Sequence, residues 1–205
     1  MKVGKAPVNL GYVDLNPTEM MFWQYCPIKR INVDTDHVPC NLEQFNPLLD
    51  LVLEDIGISQ WNASYIYMTV KTLWVSGDYI GNRPGWHTDG FGTEDLNYIW
   101  YDRAPTEFIL GEFEVSDDCD GSIVDMTRIG MSTGRTFYPN KHLLKLDQHV
   151  VHRCPTDFKP GMRSFVKISV SKDEYNLEGN SINPHFGEIF SKKPRNLERN
   201  HPSSK

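Results

Sequence analysis

From Asn62 onward the chain alternates short runs of β-branched and aromatic residues with turn-forming residues, and few folds accept that punctuation. The segments "YIYMTVKTLWVSGDYI", "LNYIWY", "TEFIL", "EFEV", "SIVDMTRI", "TGRTFYP", "LLKLDQHVVHR" and "MRSFVKISVS" each read as strand. Between them "DDCDGS" reads as a turn through Asp120-Gly121. About eight strands with short connections predict a mainly β core over 62–171, either a sandwich or a barrel. Ahead of it, 1–61 reads as an irregular flank broken by Pro and Asn, with one helix in "NPLLDLVLEDIG". Asn46 suits its N-cap, Pro47 its first position and Gly57 the position past its end. Leu48, Leu49, Val52, Leu53 and Ile56 would form its buried face. Residues 172–205 read as a polar extension, mobile beyond 189.

A chain of 205 residues can bury a real core as one domain, and 12% aromatic content suits a packed domain better than a disordered one. No apolar run approaches a membrane span, and the N-terminus lacks the apolar centre of a signal peptide, so a cytoplasmic protein is expected. Cys26, Cys40, Cys119 and Cys154 form no CxxC pair; free thiols are expected, and zinc-finger chemistry is unsupported. The net charge of −6 is uneven. Lys192, Lys193, Arg195, Arg199 and Lys205 face only Glu198 in the last stretch, so the body is more acidic than the sum. That balance does not support duplex binding, although the basic tail leaves nucleic-acid contact open. The acidic body leans slightly towards a small or cationic substrate.

Within "PGWHTDGFG", His87 and Asp89 stand two apart, so an extended backbone points both the same way. Alone this is a polar turn or half of a metal site. Two imidazoles and one carboxylate on one face of an iron ion leave three adjacent positions open. The second imidazole must come from far along the chain. His37, His142, His185 and His201 sit in irregular or terminal stretches, leaving His149 and His152, which lie on opposite faces of a strand. Leu144, Leu146 and Val150 share a face with His152, whereas Lys145 and Asp147 accompany His149. The apolar face favours His152 as ligand, and His149 as a solvated or supporting group; a core histidine tied to a carbonyl is the other account of His152. Eleven residues on, Arg163 opens an apolar strand, and a buried guanidinium needs an anion. Either an internal carboxylate or a bound one meets that need.

The ordered set "HTD" at 87–89 and "VVHRCPTDFKPGMRSFVKIS" at 150–169 resembles the Fe(II)- and 2-oxoglutarate-dependent oxygenase superfamily, over about residues 62–171. The resemblance implies a double-stranded β-helix (jelly-roll) core with a helical N-terminal flank. It implies that His87, Asp89 and His152 hold Fe(II), and that Arg163 grips the distal carboxylate of 2-oxoglutarate. It further implies that O2 and 2-oxoglutarate drive hydroxylation, or oxidative demethylation, of a substrate the sequence leaves unidentified. Members often place a hydroxyl beside that arginine. Tyr98 and Tyr101 lie on opposite faces of one strand, so at most one serves, and Phe165 stands where one branch has serine. Gly85, Gly90 and Gly92 would let the backbone bend around the site, and Trp86 and Phe91 are either core or substrate entrance. Two other accounts remain: a cupin-like jelly roll that holds a metal without 2-oxoglutarate, and a β-sandwich interaction module without catalysis.

Overall fold

A computed structural model describes residues 1–33, 35–187 and 192–194. In chain order its strands and helices are β1 (Lys2–Val3), β2 (Val8–Tyr12), β3 (Met21–Lys29), α1 (Asn46–Asn62), β4 (Tyr65–Val75), β5 (Leu96–Tyr101), β6 (Glu107–Ile109), β7 (Phe113–Glu114), α2 (Cys119–Ser132), β8 (Thr136–Phe137), β9 (His142–Leu146), β10 (Val151–Arg153) and β11 (Gly161–Ser171). The fold is mainly β, and every named strand pairing is antiparallel. A six-stranded sheet runs β2-β9-β5-β11-β4-β3, and a three-stranded sheet runs β10-β6-β8. The strands expected at "LNYIWY", "YIYMTVKTLWV" and "MRSFVKISVS" form the centre of the large sheet.

Alternation gives that sheet one apolar face and one that mixes apolar with polar side chains. Ile66, Met68, Val70, Tyr98, Trp100, Val166 and Ile168 point to one side and pack under Leu48, Leu49 and Val52 of α1. Ile99, Tyr101, Leu144, Leu146 and Phe165 point to the other and meet Phe108 of the small sheet. The layers are therefore helix, large sheet and small sheet, with the second face of the large sheet turned inward.

Several expectations are corrected. "SIVDMTRI" is not a strand but part of α2, and "DDCDGS" is not a hairpin turn but the cap and first residues of that helix. Asp118 accepts a hydrogen bond from the Gly121 amide and so caps the helix, and Ser122, Met126 and Gly130 recur at a four-residue interval on its buried face. The "LLKLDQHVVHR" segment is two strands, because the Asp147 carbonyl and carboxylate accept from the Val150 and His149 amides and turn the chain. The N-terminal flank is more ordered than Pro and Asn suggest, supplying both edge strands of the large sheet, β2 and β3. Phe45, not Asn46, occupies the cap position of α1 after a 3-10 turn. Gly57 kinks α1 (φ 76°, ψ 157°) and does not end it; the helix resumes to bury Trp61. The expected mobility beyond 189 concerns residues that, apart from 192–194, lie outside those described. No helix among the described residues is long and apolar enough to cross a membrane.

Candidate metal centre

The loop from β4 to β5 carries His87 back to the small sheet. There it forms a one-pair antiparallel bridge with His152 of β10. The amide of His87 donates to the His152 carbonyl (3.0 Å), and that of His152 donates to the His87 carbonyl (2.9 Å). This bridge brings residues 65 positions apart side by side, with ring centroids 4.6 Å apart. Gly90, just past Asp89, holds a left-handed φ of 69°, and a Cβ there would lie 2.9 Å from Thr93 Oγ1. The turn that returns the chain to β5 therefore needs glycine.

His87, Asp89 and His152 each offer one ligand atom, and the three atoms lie within 4.8 Å of one another. Asp89 Oδ1 is 3.9 Å from His87 Nε2, and Asp89 Oδ2 is 3.7 Å from His152 Nε2. Each imidazole is anchored from behind: His87 Nδ1 is 2.9 Å from the Gly85 carbonyl, and His152 Nδ1 is 3.1 Å from the Val150 carbonyl. A carbonyl only accepts, so Nδ1 carries the hydrogen and the Nε2 lone pair faces Asp89. Burial pushes the His87 pKa down to about 3, with His152 adding to the effect, and burial also lowers that of His152. Burial works against the Asp89 carboxylate, but Lys167 and the two histidines outweigh it and hold its pKa well below the usual range. Near neutral pH the trio is two neutral imidazoles and one anion, the protonation state that metal ligation requires. The two-His, one-carboxylate set suits a divalent first-row ion, with iron among the candidates.

The other sequence expectations divide. His149 turns away, its Nδ1 meeting the Lys2 carbonyl at 2.8 Å. Arg163 lies on the inward face of β11 and is 3% exposed. Its Nε donates to the Arg103 and Ala104 carbonyls, while its Nη2 is buried with no hydrogen-bond partner among the described residues. No carboxylate among those residues lies within ion-pair distance of it; Asp102, which accepts from the Ser164 amide, attracts it from farther off. The guanidinium sits 5.2 Å from the Phe165 ring centroid and 5.9 Å from that of Tyr101. Tyr101 thus shares its side of the sheet, whereas Tyr98 faces α1 and donates to Asp55. Trp86 is buried beneath α2, and Phe91 borders the cleft.

That cleft, about 210 Å³, opens beside the trio and is lined along the inward face of β11 by Phe165, Lys167 and Ser169; Arg163 shares that face but is not among the residues lining the cleft. Ser122, Ile123 and Met126 of α2 roof it. Sequence reasoning missed Lys167, whose ammonium lies 3.3 Å from Asp89 Oδ2 and donates to the Tyr25 hydroxyl at 2.9 Å. The signal was present: Arg163, Phe165 and Lys167 alternate on one face, between Val166 and Ile168 on the other. Neither a family model nor a curated protein sequence matches the chain.

Proposed function

We propose that the protein is a non-haem Fe(II)- and 2-oxoglutarate-dependent oxygenase whose two facing sheets form a double-stranded β-helix, and that it hydroxylates or oxidatively demethylates its substrate. The observation that carries this is the meeting of His87, Asp89 and His152 in one cleft, with, on the strand that lines it, a buried arginine whose Nη2 has no hydrogen-bond partner among the described residues. Fe(II) held by the trio would supply the redox chemistry by which O2 and 2-oxoglutarate become succinate and CO2 while a substrate C–H becomes C–OH.

The side chains have separate tasks. The Gly85 and Val150 carbonyls fix both imidazoles with Nε2 forward, and Asp89 contributes the charge. Arg163 would seat the distal carboxylate of 2-oxoglutarate through its unsatisfied Nη2, with Phe165 and Tyr101 flanking the guanidinium. The guanidinium, 3% exposed, is little solvated, which would strengthen an ionic contact there. Helix α2, which lines the cleft through Ser122, Ile123 and Met126, would limit the entry of water.

Protein supplied with Fe(II), ascorbate and 2-oxoglutarate should release succinate slowly without its substrate, and His87→Ala should stop the release. Absence of succinate from wild-type protein whose iron content falls in His87→Ala would leave a metal-holding jelly roll of other chemistry. Silence together with iron content indifferent to His87→Ala would leave an interaction module.

A further inference from the structure

Lys167 presents a charge problem. It projects from β11 to within 3.3 Å of a carboxylate oxygen of Asp89, and its side chain is 11% exposed. If the trio holds a divalent cation, as proposed above, the buried group comprises that ion, one carboxylate, two neutral imidazoles and one ammonium. It would carry two net positive charges before any further ligand arrives. A cation beside a metal ligand weakens metal binding by direct repulsion. A lysine kept only to pair with Asp89 would thus oppose the function of Asp89.

The surroundings hold the ammonium in place. β3 bulges between Trp23 and Cys26, and within the bulge Tyr25 adopts a left-handed φ of 46°. That conformation is costly for a non-glycine residue and persists where surrounding contacts enforce it. Thr69 accepts from the Tyr25 amide at 3.0 Å, and the Tyr25 hydroxyl accepts from Lys167. The ammonium also lies 4.9 Å from the Tyr25 ring centroid. Of its three hydrogens, Asp89 and Tyr25 account for two. The third has no partner among the described residues, and Lys167 borders the cleft. Lys71 and Arg83 border it too, so its lining is basic although the chain is acidic.

We propose that Lys167, positioned by Tyr25, is an anion seat beside the metal, taking a carboxylate or similar oxyanion that occupies the cleft next to the ion. The anion restores charge balance and accepts the third ammonium hydrogen. Its source is either the keto-acid end of 2-oxoglutarate or an acidic group on the substrate to be oxidised.

Co(II)-loaded wild type, Lys167→Gln, Lys167→Arg and Tyr25→Phe, each at saturating Co(II), separate these sources through their visible ligand-field bands. One arm titrates 2-oxoglutarate; the other titrates acetate into protein already saturated with 2-oxoglutarate. Lys167→Gln should bind Co(II) at least as tightly as wild type, yet lose about tenfold or more in anion affinity, the worth of one charge-assisted hydrogen bond. Lys167→Arg should recover most of that loss, and Tyr25→Phe, which keeps the charge, should lose less. Weakening confined to the first arm assigns the seat to the cosubstrate, and weakening in the second assigns it to a substrate anion. Unchanged affinity in both arms overturns the seat; so does a Lys167→Gln variant that loses only Co(II). If Lys167→Gln does not fold, Tyr25→Phe decides by the same criterion. Failure of wild type to bind Co(II) at all is a different result, and it removes the metal centre itself.

Discussion

Arg163 shows what one side chain can and cannot reveal from the sequence. Its place at the start of an apolar strand marked it as buried, and burial of a guanidinium demanded an anion. The two candidates are an internal carboxylate and a bound one; Glu107 pairs with Arg153, while Asp102 accepts from the Ser164 amide and attracts the guanidinium from beyond ion-pair distance. An Arg163→Ala variant should therefore bind 2-oxoglutarate at least tenfold more weakly, as expected for loss of a charge-assisted contact. Titration calorimetry of the metal-loaded protein reads this directly. Lys in its place should recover part of the loss, since an ammonium keeps the charge and loses the planar fork. Equal affinity in wild type and Ala variant would take Arg163 out of the site. His152 was legible for a different reason. The apolar company of Leu144, Leu146 and Val150 placed it inside, even though the intervening turn was invisible in the pattern.

Among the elements, the long central strands were readable because β-branched and aromatic residues dominate them, with no competing signal. Helix α2 was not. Its window mixes Ile123, Val124 and Met126 with polar residues in a way that fits a two-residue period for a few positions, and Asp120-Gly121 imitates a hairpin. The Asp118 cap and the Ser122, Met126, Gly130 interval decide it, and the reason for the interval is close approach. A Cβ on Gly130 would lie 2.1 Å from Trp86 Nε1, so the helix rests directly on the residue preceding His87. Gly130→Ala should cost roughly 1–3 kcal/mol through overpacking, or about 2–10 °C in melting temperature. It should also weaken metal binding, because Trp86 must move. Calorimetry paired with metal titration tests both; a variant with wild-type values would show that α2 is not packed there. The edge strands β2 and β3 escaped notice because Gly11, Pro27 and a bulge interrupt them, and edge positions tolerate such breaks.

Across the whole molecule, net charge proved a poor guide to the site. The sum is −6, yet the cleft is bordered by Lys71, Arg83, Arg153 and Lys167 beside Asp89 and Asp95, so its lining does not follow the balance of the chain. The acids lie largely on the surface, with exceptions that join layers. Glu107, 2% exposed, accepts from Arg153, the Thr156 amide and the Thr156 hydroxyl, tying the loop after β10 to β6 beside His152. Burial raises its pKa, but these donors outweigh burial and bring it below the ordinary 4.5. A depressed folded pKa stabilises fully above the unfolded value and is lost as pH falls through the folded one. Glu107→Gln should lower the melting temperature near neutrality by several degrees, the order of about 3 kcal/mol for one broken buried pair. The wild-type advantage should shrink as pH drops below about 4.5. Parallel curves through that range would show that Glu107 is not held ionised by its neighbours.

The proposal that His87, Asp89 and His152 hold one ion that also accepts a keto acid is tested most directly by anaerobic titration of 2-oxoglutarate into Fe(II)-loaded protein, followed in the visible region. Wild type should take one iron per chain and develop a weak charge-transfer band that saturates with 2-oxoglutarate, whereas His152→Ala should show neither. A wild-type protein with no band, or a His152→Ala variant that keeps it, would contradict the account.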